Sequence, residues 1–270
     1  KGRARRRRDR QLEMDLVRGR GGPGRGQGRK KRKRGYLNHT PRPWHDSRLP
    51  VHVSTSIIAG LPSLRGRKLW KAVHQGFVHG CVHGPRARLA EQREDKSGRV
   101  CRADSERASF RIVEFSVQGM HIHLIIEATS RRALSRGMQG FKIRVARAIN
   151  RALGGRKGQV FKDRYHDKLI TNPRQCRNTL LYVLSNQRHH AHEEVATYPR
   201  STIDPCSSAP VFGGWSIARP RQWAQAPPAP TAGRAAVATG LTWLMRGGYK
   251  RGGGLLSPSQ IPGAGARALT

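Results

Sequence analysis

Ten residues, Gly119–Ala128 (GMHIHLIIEA), constrain this chain more than any other stretch. Their side chains alternate, and on a β-strand positions two apart share one face. Met120, Ile122, Leu124 and Ile126 form an apolar row that calls for burial. His121, His123 and Glu127 point the other way, and two imidazoles about 6.6–7 Å apart along a strand can close on one metal ion. The competing reading is two solvated histidines on an open sheet face, so the remainder of the chain has to decide between them.

The surroundings are strongly basic. Against 53 Lys and Arg there are 16 Asp and Glu, a formal net charge of +37. Such an excess goes beyond what solubility needs and points to a polyanionic partner, nucleic acid before an anionic membrane surface. No run of 18 apolar residues is present, so a membrane span is not expected, and no signal-peptide core follows the basic N-terminus. Cys81, Cys101, Cys176 and Cys206 are widely spaced without a C-x-x-C pair, which indicates neither a zinc ribbon nor a disulfide framework. A cytoplasmic setting beside the nucleoid fits this.

Three regions are expected. Residues 1–48 are mostly Arg, Lys, Gly and Pro and cannot bury enough apolar surface to offset chain entropy, so they read as a disordered basic arm that binds phosphates. Residues 49–192 carry the periodic patterns of a folded domain. Residues 193–270 turn Pro- and Gly-rich and read as an extension, with 220–238 as a linker.

Within the domain, LPVHVSTSIIA alternates as a first strand, and residues 66–80 carry apolar groups at helical spacing. Residues 81–107 lose periodicity and read as an inserted loop. SFRIVEFSV (109–117) and the histidine stretch form a hairpin. Ser130 caps a helix running to about Leu153, closed by Gly154-Gly155. GQVFKDRYHDKLI (158–170) is expected as a fourth strand, and Pro173 opens a last helix, PRQCRNTLLYVLSNQRHHA. The order is strand–helix–strand–strand–helix–strand–helix. It predicts an α+β, ferredoxin-like fold: a four-stranded antiparallel sheet with two helices on one face and the last helix free to cross the other, histidine-bearing face.

On that last helix Tyr182 and Asn186 are four apart and share a stripe, while Leu180, Leu181 and Leu184 cover the neighbouring one. If the first stripe faces His121 and His123, a phenol, an amide and two imidazoles converge. A divalent ion on the histidines would draw charge from a scissile phosphate while the tyrosine oxygen attacks phosphorus. With a pKa of ~10, only about one phenol in a thousand is ionised at neutral pH. The phenol would therefore need help from the metal, a water or a basic neighbour such as Lys168. The plainer reading of Tyr182 is an amphipathic core tyrosine.

Here the motifs resemble a known family. SVQGMHIHLIIEA, ALSRGMQGFKIRVARAINR and GQVFKDRYHDKLITNPRQCRNTLLYVLSNQRHHA are similar, in order and spacing, to the single-tyrosine HUH transposases. The likeness is greatest to the REP-associated branch of the insertion-sequence-200-like group and spans roughly residues 49–215. It implies a ferredoxin-like nuclease that cuts and rejoins single-stranded DNA beside hairpins with Mg²⁺ or Mn²⁺. Carried over by position, His121 and His123 match the metal-binding pair. Tyr182 matches the nucleophile that becomes joined to a 5′-phosphate, and Asn186 the residue that can complete the metal site. Met120 stands where relatives often have Asn, and Gln187 where they often have Pro.

Two other functional classes compete: a non-catalytic nucleic-acid-binding protein, and a replication initiator or relaxase using the same chemistry. Histidines that precede the tyrosine set the chain apart from many relaxases. Tyr165 is the rival nucleophile, His190 could reach the metal, and His52 borders the expected site. His74, His79 and His83 read as surface residues. Trp243 and Tyr249, in the basic glycine-rich stretch 239–254, are available for stacking on bases, and 204–215 should pack back through Phe212 and Trp215. Single-stranded or hairpin DNA is the expected partner, and a homodimer is compatible with the pattern.

Overall fold

The alternation of 121–128 sets the architecture. In the computed structural model, which describes residues 44–83, 108–162, 164–187, 203–217 and 236–260, this stretch is the third strand of the expected sheet and lies near its middle. We number the strands β1 (Val51–Ser56), β2 (Val82–His83), β3 (Phe110–Val117), β4 (His121–Ala128) and β5 (His166–Leu169). The helices are α1 (Arg67–Gly80), α2 (Arg131–Ala152), α3 (Pro173–Leu184) and a short α4 (Trp243–Arg246). The sheet order is β2-β3-β4-β1-β5 with every pairing antiparallel. Leaving out β2, this is the predicted ferredoxin-like arrangement. The fifth member is a two-residue edge strand, Val82 and His83 beside Arg111 and Phe110, taken from what the sequence reads as loop.

Pairing register sorts the side chains into two faces. Val51, Val53 and Thr55 of β1 stand opposite Ile126, Leu124 and Ile122, and this row packs with Phe77, Met138, Phe141, Val145 and Ile149 of α1 and α2. Each such aliphatic side chain removed from water is worth ~1.5–3 kcal/mol, so this core holds the sheet to its two helices. The helices approach closely because Gly76 leaves room: a Cβ there would meet Val145 Cγ2 at 2.6 Å. Met120, expected in the row, is 39% exposed because it precedes the strand in the hairpin turn.

His52, Ser54 and Ser56 occupy the other face, opposite Ile125, His123 and His121. Across it runs α3, whose Leu180, Leu181 and Leu184 form a second core with Ile125, Ile170, Phe212, Trp215, Leu244 and Tyr249. Two stretches of the Pro- and Gly-rich region therefore complete this core. Phe212 and Trp215 pack inward as expected, their rings 5.3 Å apart. Tyr249 is buried at 4% exposure, which removes it from base stacking, whereas Trp243 is exposed.

Local signals hold at the helix starts. Ser130 Oγ accepts from the Ala133 N–H at 3.1 Å, and Asn172 Oδ1 from the Gln175 N–H at 2.8 Å, with Pro173 in the first turn. Gly154 and Gly155, at φ +81° and +79°, end α2.

The expected fourth strand is much shorter than 158–170. Phe161 bridges Ile57, but the register then slips, so that Ser54 meets His166, and only 166–169 form a strand. The last helix stops at Leu184 because Ser185 leaves helical geometry at φ −118°, ψ 21°. At the other end, order reaches back before the expected boundary at Leu49. His45 Nε2 lies 2.9 Å from the Ala128 carbonyl oxygen, and Arg48 pairs with Asp46 at 2.9 Å. Residues 1–43 of the basic arm, the bulk of the loop 81–107 and residues 220–235 of the expected linker lie outside the described residues, whereas Val237 and Ala238, at the end of that linker, are buried in the first core.

Candidate active site

β4 and α3 bring His121, His123 and Tyr182 together. The His121 and His123 rings are 4.8 Å apart, edge to face, and Tyr182 from α3 stands edge-on to His123 at 5.1 Å. Leu180, Leu181 and Leu184 are buried on the core stripe, which leaves Tyr182 half-buried beside the histidines. The sheet face opposite α1 and α2 is thus where phenol and imidazoles meet.

His52 joins them. Its ring stacks on His123 at 5.4 Å with Nε2 3.3 Å from His123 Nδ1, and Tyr182 lies edge-on at 6.0 Å. When His123 Nδ1–H is the donor in this contact, the lone pair of its imidazole lies on Nε2, the tautomer a metal ligand needs. Burial first, and then the positive charge of Lys168 across the β1–β5 pair, push the His52 pKa down to about 4. His52 is therefore neutral at physiological pH and adds no charge to the site.

Asn186 lies just past α3 and is fully buried, yet neither its Oδ1 nor its Nδ2 has a hydrogen-bond partner among the described residues. A buried amide in that condition costs on the order of 1–3 kcal/mol, so the position calls for a ligand. Among the described residues no three His, Cys, Asp or Glu side chains form a metal-binding group. A centre here needs a donor of another type, and the buried amide oxygen of Asn186 is one. Two imidazoles and an amide oxygen would make a mixed nitrogen and oxygen donor set for a divalent ion. His189 and His190 lie outside the described residues.

A network that sequence reading missed braces the end of α3. Arg65, immediately before α1, donates to both carboxylate oxygens of Asp204 at 3.0 and 2.8 Å, to Gln187 Oε1 at 2.7 Å and to the Val117 carbonyl oxygen at 2.8 Å. Asp204 also accepts from the Cys206 N–H and from Ser116 Oγ, and Ser116 is the cross-strand partner of His123. The residue after Asn186 is thereby tied to the strand beside the histidines. The one visible signal was an isolated acid, Asp204, in a basic chain.

Other candidates fall elsewhere. Tyr165 is buried in the core under α1 and α2, on the opposite side of the sheet from His123. Glu127 shares the histidine face but is fully buried and committed. It pairs with Arg111 at 3.0 Å and accepts the backbone N–H groups of Leu241 and Thr242. The His74 ring packs at 5.5 Å from Trp70, with its pKa lowered by burial, and His83 sits on the edge strand β2.

Comparison with known proteins bears on this geometry. Residues 81–186 match the family described as Transposase IS200 like, a segment that contains His121, His123, Tyr182 and Asn186. No curated protein matches the chain. A solved structure of a REP-associated tyrosine transposase bound to a REP hairpin is similar at 12% identity and a TM-score of 0.38, over 57% of this chain and 74% of that one. His52 and Arg65 lie before the segment matched to the family, and Asp204 lies after it. No helix among the described residues is long and apolar enough to cross a membrane.

Proposed function

We propose that this protein is a single-stranded DNA endonuclease and strand-transferase that works through Tyr182 at hairpin-flanked DNA, with Mg²⁺ or Mn²⁺ as cofactor. The observation that carries the reading is the packing of the Tyr182 ring against His123 and His52 on one sheet face, with Tyr182 and His123 inside the segment that matches the transposase family.

In this reading the Tyr182 oxygen attacks the scissile phosphorus. A phosphotyrosine bond to the 5′-phosphate forms, the bond from phosphorus to the 3′-oxygen breaks, and that oxygen leaves as a 3′-OH after taking up a proton. The phenolic proton passes to water. The new ester conserves the energy of the broken bond for rejoining. His121, His123 and the Asn186 amide oxygen would hold the divalent ion, which when bound neutralises charge on the phosphate and lowers the barrier to attack. His52 keeps His123 in the right tautomer and orientation, and Arg65 and Asp204 hold the chain after Asn186.

The test uses a labelled single-stranded hairpin substrate with Mn²⁺, a denaturing gel and mass spectrometry of the adduct peptide. The intact protein and Tyr165→Phe should form a covalent adduct, and Tyr182→Phe should bind the substrate without forming one. His121→Ala and His123→Ala should bind DNA but not cleave it. Cleavage by Tyr182→Phe, or an adduct mapped to Tyr165, overturns the assignment.

A further inference from the structure

An open groove of about 550 Å³ begins at Tyr182 and His52 and runs toward the start of α3. Its lining includes Lys168, Arg174, Gln175, Asn178 and Thr179. Gln175, Asn178 and Tyr182 mark successive turns of one helix face, so the groove extends about 10 Å along α3 at 1.5 Å per residue. At the 3.4 Å spacing of a stacked strand, that is the run of about three nucleotides.

The hydrogen-bonding state of the lining decides what it can take. Gln175 is spent: its Oε1 accepts from the Thr171 N–H and Oγ1, and its Nε2 donates to the Leu169 carbonyl oxygen. Asn172 Oδ1 caps the helix, and Thr179 Oγ1 donates to the Gln175 carbonyl oxygen. Lys168, Arg174 and Asn178 are exposed on the rim. No Asp or Glu is among the groove's lining residues. A trough with two cations, no carboxylate and most of its amides already committed is suited to a polyanion held by its backbone more than to a base read by its edges.

We propose that this groove is the subsite for single-stranded DNA flanking the scissile phosphate, with Lys168 and Arg174 each neutralising one backbone phosphate. The assignment rests on Tyr182 as the nucleophile, which makes the groove's inner end the point of cleavage. Strand entering along α3 passes Arg174, then Lys168 opposite His52, and arrives at the phenol. Because the contacts are to phosphate, the grip is independent of sequence and orients the strand for attack.

The experiment measures equilibrium binding of oligothymidylate and of a blunt DNA hairpin across a salt series, with the full-length chain and its Lys168→Ala/Arg174→Ala variant. Each phosphate contact to a single strand contributes a slope of about 0.7 in log K against log salt. The variant should therefore lose a slope of about 1.4 on oligothymidylate and bind it more weakly, with the blunt hairpin unaffected. Both side chains are exposed, so folding is not at stake, and Lys168→Arg/Arg174→Lys should restore the slope. An unchanged slope on oligothymidylate, or an equal loss on both probes, overturns the proposal. Adduct formation is scored separately with Tyr182→Phe. If that variant loses the adduct while the groove variant keeps its slope, the subsite is wrong and the nucleophile stands. The opposite pair of results leaves the subsite and removes the nucleophile.

Discussion

Replacing Glu127 distinguishes a residue of the site from a residue of the scaffold. Its carboxylate is on the same sheet face as His121 and His123, so alternation alone makes it a candidate for the chemistry. The structure gives it another task. Oε2 accepts from Arg111 Nε at 3.2 Å and Nη2 at 3.0 Å, while the Leu241 N–H and the Thr242 N–H, at 2.8 Å each, reach Oε2 and Oε1. Thr242 then caps α4. Glu127 thus fastens residues 236–260 onto the sheet, across 114 residues of sequence.

In Glu127→Ala the Arg111 guanidinium, with its side chain 8% exposed, loses the carboxylate that it pairs with at 3.0 Å. Removing one member of a buried pair costs about 3–5 kcal/mol. At roughly 2–4 °C per kcal/mol for a chain of this size, the melting temperature should fall by roughly 6–20 °C. Hydrogen exchange should accelerate at 241–256 before it does at 121–123. The double variant Arg111→Met/Glu127→Met should recover most of the loss, since neither member of the pair is then left buried without the other. Mn²⁺ binding by Glu127→Ala at low temperature should match the parent. A melting point unchanged by Glu127→Ala, or a lost Mn²⁺ affinity in a protein that is still folded, would refute the reasoning.

Three further outcomes are expected. The His52 pKa is lowered from 6.5 to about 4, so as pH falls between those values the unfolded chain takes a proton that the folded chain refuses; apo-protein stability should drop by up to about 3 kcal/mol in that window, and His52→Gln should flatten the drop in thermal melts. Removal of residues 1–43, which stops short of the His45 contact to Ala128, should weaken DNA binding and flatten its salt dependence while adduct formation persists; an unchanged salt slope would show that the arm does not contact DNA. Gly137→Ala, which on an open helix would stabilise, should here destabilise by about 1–3 kcal/mol, because its Cβ would collide with the buried Phe110 ring; a raised melting point would contradict that packing.

What could be read from the sequence follows the range of the interaction. The alternation of 121–128, the Ser130 and Asn172 caps and the leucine stripe of α3 are written within a few residues, because a strand repeats every two and a helix every 3.6. That was enough to place the histidines and Tyr182 on facing surfaces. The run 158–170 deceived for the same reason. It alternates well enough for a strand, but the two-residue slip after Phe161 depends on β1 as partner and leaves only 166–169 paired as a strand. Buried charge is harder still to read. Arg65 meets Asp204 over 139 positions, and Glu127 meets Thr242 over 115. No local window marks either pair, since a lone Asp or Glu looks the same whether it faces water or a guanidinium. The rule that reaches them is energetic. A carboxylate forced inward by strand alternation must find a cation or donated N–H groups, or the fold loses several kcal/mol. Applied to Glu127, that rule says a partner exists but not which one. Only the folded chain, by laying 236–260 over β4, supplies the name.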